Sequence, residues 1–570
     1  MLKHFLTMSL RFVLLMSVVM AIVRPARAEM QPREQSGSGL RTWYIRMDGG
    51  DRKQCNGLAD LPYKGKGSQQ PCAFNHPFYL FTSGDYGNKQ WIVTGGDTIL
   101  VRGGPYRMGY RGPGPKDMWG SCPGDPYSCG MPGLPSGTAG HPTRLLGENY
   151  RSCKQKTQLF GGFALGTVVN LGGSKHIDVE CLELTDHSQC NRVGTGGEGC
   201  SSSYPLSDYA GAGIVTDSGT SDVELKDLDI HGFTSRGIIG PIGGEITVDH
   251  VRIAFNGGAG WDFDDGRNTK NGPGASVHAK YLTVEWNGCN EEYPIRDSVP
   301  AFSCFDQDHG GYGDGVGTPD TQMNFTCDHC TFRYNTQDGL DLLHTSGSVI
   351  EVTNSEAYGN MGQQWKLGAM RSVRFQNNLT VHNCRRMSAA MNGAPANYNR
   401  YLSLFCRAGG DGIAMGITDG GTYVLQNNSF VGYGSTSYDI VCSGGCSKAS
   451  IVYQNNLNIG YKNPADGALP GIFYTQDVPR GVWTARDHNV YFNMRGSCPL
   501  GWTEHCTDPK IAKMPAWSGE ASLDGIDFHL TSGSPARGAG VTVPGLLKDY
   551  DGAARPAGAA YDIGAFQYRP

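Results

Sequence analysis

The chain has 570 residues, a formal net charge of −5 at pH 7, 83 glycines and 18 cysteines. A mildly acidic chain offers no basic footprint for nucleic acid and no cationic stripe for a membrane surface, so any binding has to come from a local site. Glycine at about twice its usual share would fit disorder, but aromatic residues at 10% and regular apolar spacing point instead to many tight turns.

In chain order, residues 1–28 come first and read as a secretory signal. They have a basic start, an apolar run from Phe12 to Val23, and a small residue at Ala26 and again at Ala28. That run is too short to span a bilayer, and no later stretch has the roughly 20 apolar residues a crossing helix needs. The expectation is a secreted protein, extracellular or periplasmic, without membrane insertion and monomeric. Export accounts for the cysteines, which can pair in an oxidising compartment. Cys122 with Cys129, Cys442 with Cys446, and Cys498 with Cys506 lie close enough for local staples on loops. Cys327 and Cys330 in CDHC make half a zinc pattern, but no second half follows at zinc spacing, which favours a disulfide or core pair.

Residues 29–94, with YIRMDGG, two cysteines and several aromatics, are expected to cap an open sheet edge. From Gly95 the text changes to repeated short phrases: VELKDLDIHG at Val223, ITVDHVRIAFNG at Ile246, AKYLTVEWNG at Ala279, CDHCTFRYN at Cys327, VTNSEAYGN at Val352 and FQNNLTVHN at Phe375. LQNNSFVGY at Leu425 and YQNNLNIGY at Tyr453 continue the series. Each alternates with period two and ends in an Asn or Gly turn, so each predicts a strand and a corner. Asn335, Asn360 and Asn383 lie 25 and 23 residues apart, about one circuit of a parallel β-helix. The wider gap from Asn287 to Asn335 predicts either a coil without the phrase or a loop thrown out from one. The expected fold is all-β, a right-handed parallel β-helix over residues 95–535, closed by a segment over 536–570. In such a solenoid the QNN runs at Gln376, Gln426 and Gln454 would stack their amides along the axis.

The same spacing acts on the phrase NTQDGLDLL. Asp341 and Lys366 are 25 residues apart and Asp314 precedes Asp338 by 24, so three carboxylates and one lysine converge on one patch. Clustered carboxylates repel unless neutralised, and hard oxygen donors suit Ca²⁺. A lysine shielded from water beside a dication loses its proton more readily and becomes a base.

GYGDGVG, TQDGLDLL, SEAYGN and QQWKLG, in that order, resemble the active-site coils of family 9 polysaccharide lyases, pectate lyases on a right-handed parallel β-helix. The resemblance spans about sixty residues, Gly310 to Ala369. It implies Asp314, Gln337, Asp338 and Asp341 as Ca²⁺ ligands and Lys366 as the base that takes a proton from an acidic polysaccharide in a β-elimination. Where the family pattern has two adjacent acids, this chain has Gln337 before Asp338, whose amide oxygen brings no charge and lowers the expected affinity. Trp365 stands in place of the usual Phe, and is expected to be a flat apolar neighbour that lowers the dielectric around Lys366.

Two other readings stand beside this one. NTQDGLD also resembles the NTDGxD phrase of polygalacturonases, but the further Asp pair, the GHG and the RIK that those hydrolases need downstream do not follow Asp341. A glycan- or surface-binding β-helix without catalysis would use its aspartates as turn formers and Lys366 as a salt-bridge partner. Arg371 and Arg385 are candidate substrate-binding residues, since an arginine can hold a carboxylate bidentately. Arg386, one residue beyond Arg385, could line a subsite with it, while His309 and His344 are better read as structural.

Overall fold

The alternation seen in the sequence places apolar side chains inside a tube of short strands. The computed structural model describes residues 39–82, 90–109, 130–188, 208–264, 270–289, 313–317, 322–382, 410–432, 435–462, 467–496, 501, 503–514 and 526–570. Three sheets of thirteen, twelve and ten strands run the length of the solenoid, and neighbours within them pair in parallel. One coil visits the three sheets in turn: Leu340–Ser346, Val349–Thr353 and Glu356–Tyr358, after which Trp365–Ala369 returns to the first of them. The fold is a parallel β-helix.

The sheet pairings explain the unequal spacing. Lys280 pairs with Asp328, 48 residues on, while Asp328 pairs with Thr353, 25 on. The long interval is therefore one coil carrying an inserted loop, part of which lies outside the described residues. The first strand of the thirteen-stranded sheet, Thr42–Gly50, comes from the segment before Gly95 and pairs with Thr98–Arg102. Residues 1–38 lie outside the described residues.

The core is the inward half of each strand. Leu340, Leu342, Ile350, Val352 and Ala357 from one coil, and Trp365, Leu367, Val373 and Phe375 from the next, are buried in one continuous cluster. The corners explain the asparagines. Asn354, Asn377, Asn427 and Asn455 have φ of 50, 56, 54 and 59°, in the left-handed region that asparagine tolerates better than most residues. Beside them Asn378, Asn428, Asn456 and Asn489 pass a side-chain hydrogen bond from coil to coil, and Gln376, Gln426 and Gln454 form a second amide ladder. The final segment lies against these corners, where Asn377 and Asn427 donate to the carbonyls of Lys548 and Asp562.

Four disulfides lie wholly among the described residues: Cys55–Cys72, Cys153–Cys181, Cys327–Cys330 and Cys442–Cys446. CDHC is thus a disulfide. Cys122, Cys129 and Cys498 lie outside the described residues.

Candidate active site

The phrase NTQDGLD acquires its shape from a ladder of amides. Asn287 donates to Asn335 at 3.0 Å, Asn335 to Asn360 at 2.9 Å, and Asn360 to Gln364 at 2.8 Å, where the ladder ends. Asn383 lies outside the described residues. The ladder leaves no room for a side chain at Gly339, because a Cβ there would come 2.5 Å from the Gln364 carbonyl and 2.7 Å from Asn360. Gly315, Gly260 and Gly237 are crowded in the same way by the next coil. A glycine therefore stands at this point on these coils, while Gln364 takes it on the coil of Trp365, where the ladder ends.

Two files of side chains result. Val316, Leu340, Trp365 and Ile413 pair in register, which aligns Asp314, Asp338, Gln363 and Asp411 on successive coils. These residues are also linked, since the Asp338 N–H donates to Asp314 at 2.9 Å and the Gln363 N–H to Asp338 at 2.7 Å. In the second file Asp341 pairs with Lys366, Lys366 with Ala414, Ala414 with Asp439, and Asp439 with Tyr474.

Asp314, Asp338 and Asp341 each offer an oxygen within 4.8 Å of the others, and all three are buried. Lys366 Nζ donates to Asp341 at 2.7 Å and to Asp338 at 2.9 Å, with its side chain 13% exposed. Three carboxylates and one ammonium leave a buried formal charge of −2, a deficit that one dication would cancel. The electrostatics reflect it. Burial pushes the Asp314 carboxyl well above its ordinary range, and Asp338 and Asp341 push it further. Asp341 is raised by burial and by Asp338, against the opposing pull of Lys366. For Lys366 itself burial works downward, but the charges of Asp338, Asp341 and Asp314 prevail and raise it above an ordinary lysine. The donor set is hard oxygen throughout, crowded and mutually repelling, and it fits a cation such as Ca²⁺.

The other candidates fall in different places. Gln337 is wholly buried next to Asp338, with its N–H donated to Gly313 and its carbonyl accepting from Gly362. Trp365 departs from expectation: strand alternation turns it inward, where it packs edge-on to Phe332 and Phe375 and donates to Thr380. It belongs to the core and does not face Lys366's surroundings. Arg371 is exposed at the end of the Trp365–Ala369 strand, its backbone bonded to Ser348 and Thr422. His344 is exposed. Arg385, Arg386 and His309 lie outside the described residues.

Two acids were missed by the sequence reading. Asp411 is buried, bonded by the Thr436 N–H and by Gln363, and burial with the nearby Asp439 pushes its pKa up to about 7. Asp439 is half-buried and also raised by burial, and its Oδ1 is enclosed without a hydrogen-bond partner. A signal was present. Asp411-Gly412-Ile413 repeats the Asp-Gly-apolar phrase of Asp314 and Asp338. Further down the same face, Arg236 pairs with the buried Asp262 at 3.0 Å.

No protein-family model matches the chain, and no curated protein matches it. Among solved structures it is similar to pectate lyase Pel9A, at 13% identity over 93% of this chain and 97% of that one, with a TM-score of 0.40. It is similar also to a rhamnogalacturonan lyase, at 13% identity over 86% of this chain and 97% of that one, with a TM-score of 0.39.

Proposed function

We propose that this protein is a calcium-dependent polysaccharide lyase that cleaves a uronate polymer such as pectate by β-elimination. The observation that carries the reading is the contact of Lys366 with Asp338 and Asp341 inside a buried site of three carboxylates. Asp314, Asp338 and Asp341 would hold Ca²⁺, with the Gln337 amide oxygen as a candidate fourth donor. Bound there, Ca²⁺ would draw charge from a uronate carboxylate and acidify the C5 proton.

The lysine has a protonation problem to solve. Surrounded by bare carboxylates it keeps its proton, since their charges overcome its burial. Once those charges are balanced, burial is the influence that remains, and burial favours the neutral amine. Neutral Lys366 then takes the C5 proton, the C–H electron pair becomes the C4–C5 double bond, and the bond from C4 to the glycosidic oxygen breaks. Paired cysteines suit a protein working in an oxidising compartment. Among the described residues no helix is long and apolar enough to cross a membrane.

The test is incubation with polygalacturonate, alginate and rhamnogalacturonan, with and without chelator, followed by the ultraviolet absorbance of the unsaturated product. Calcium-dependent absorbance that Lys366→Ala abolishes is the expected result. New reducing ends without absorbance would mean hydrolysis, and binding without chain cleavage would mean a lectin-like role. Either outcome overturns the proposal, as does unchanged release by Lys366→Ala.

A further inference from the structure

An elimination needs somewhere for its leaving group's charge to go. The departing oxygen is an alkoxide unless it is protonated as the bond breaks, and a positioned acid accelerates such steps by about 10²–10⁴. The face that carries Lys366 supplies two acids the mechanism above does not use, Asp411 and Asp439, and the second shares the lysine's own file. Lys366 pairs with Ala414 and Ala414 with Asp439, so the base and this acid stand two strands apart in one outward file. At about 4.8 Å per strand their backbones are about 10 Å apart. Among the described residues the in-register position between them is Ala414, which is partly exposed. Base and acid thus stand on one outward file with a small apolar residue between them, at a spacing comparable to a sugar ring.

We propose that Asp439 is the group that protonates the departing glycosidic oxygen, an inference that rests on the lyase reading above. Its neighbours suit the role. On this face they are Asp411 from the preceding coil, Lys366 two strands back in the file and Tyr474 on the strand beyond. Burial raises both carboxyls, and the charge of Asp439 helps raise Asp411 to about 7, since two close carboxylates resist ionising together. Asp411 is committed to the Thr436 N–H and to Gln363, whereas Asp439 keeps an oxygen that accepts no hydrogen bond. An enclosed oxygen with no donor against it disfavours the charged carboxylate and so favours the protonated carboxyl.

The balance is as follows. Lys366 Nζ gains the C5 proton, the double bond forms between C4 and C5, the C4–O4 electron pair leaves on O4, and the Asp439 carboxyl proton passes to O4. Lys366 then loses a proton to water and Asp439 regains one.

The experiment compares Asp439→Asn, Asp439→Glu and Asp411→Asn with the wild type in the full chain, following unsaturated product over a range of pH and checking folding by thermal melting. Asp439→Asn is expected to lower kcat about 100-fold with KM within about twofold, and Asp439→Glu to recover part of it. Asp411→Asn is expected to move the alkaline fall of kcat to lower pH, because its charge no longer helps Asp439 hold a proton. If the wild type is active and Asp439→Asn matches it in kcat and pH profile, the inference falls while the lyase reading stands. If KM rises and kcat does not change, Asp439 is a binding residue and the inference again falls. If the wild type releases no unsaturated product, the lyase reading fails and takes the inference with it.

Discussion

Lys366 Nζ lies 2.7 Å from Asp341, its direct partner on the neighbouring strand, and 2.9 Å from Asp338. One ammonium therefore occupies the space that a cation would share. Lys366→Ala is predicted to have two opposite effects. Unsaturated product should fall by about 10²–10⁴ if the lysine is the base. Calcium should bind more tightly, because a competing positive charge has gone. Titration of the variant with calcium by calorimetry checks the second effect, and weaker binding would make Lys366 a structural tie.

Calcium should stabilise the protein through the same three acids. A ligand at 100 times its Kd adds about 2.7 kcal/mol to stability. Thermal melts of the wild type should rise with calcium and fall back with chelator, and Asp338→Asn should respond far less. Gln337→Asp restores a charge that the sequence lacks and should lower the calcium concentration needed for half the shift. No change in that concentration would remove Gln337 from the site.

Acid should weaken the N-terminal end first. His76 is fully buried, with Nδ1 accepting from the Phe78 N–H at 3.1 Å and Nε2 donating to the Arg107 carbonyl at 3.0 Å, an arrangement open only to the neutral ring. Burial lowers its pKa to about 4 from the ordinary 6.5. A depressed histidine contributes stability above its unfolded pKa and loses it as pH falls through the folded one, so the window is pH 6.5 down to about 4. The loss is roughly 3 kcal/mol. Denaturant melts across that window should show it in the wild type, and His76→Gln should flatten the slope.

Glycine 339 offers a purely steric test. Gly339→Ala puts a methyl against the Gln364 carbonyl and the Asn360 amide. Overpacking of this kind costs about 1–3 kcal/mol. Gly481→Ala, where nothing lies within 4 Å, is the control and should be near neutral. Equal melting temperatures for the two variants would contradict the close packing of the ladder.

Much of this was legible in the chain because a parallel solenoid turns sequence distance into spatial distance. The interval of 25 from Asp341 to Lys366 is the pairing in the sheet, and the QNN runs are amide ladders as the repeated phrase implied. Trp365 misled for the opposite reason. Its neighbour in sequence is on the other face of the strand, so adjacency to Lys366 said nothing about contact. Asp411 and Asp439 escaped because a long insertion separates their coils from Lys366. Lys366 pairs with Ala414 at a separation of 48, about twice the local period, and counting by 25 steps past it.

The glycine column has a consequence for how this site changes over time. Gly237, Gly260, Gly315, Gly339 and Gly412 surrender a Cβ at the same angle of the circuit, while Gln364 and Ser437 take that place on their coils, so the position before it is a socket offered on successive turns whose occupant can be exchanged without redesigning the scaffold. Gln363 is the one neutral occupant between Asp338 and Asp411. Replacing it with aspartate would join four acids into an unbroken rail. Selection can thus lengthen, shorten or shift the row of charge by single letters, while the sheet register keeps each letter aimed the same way.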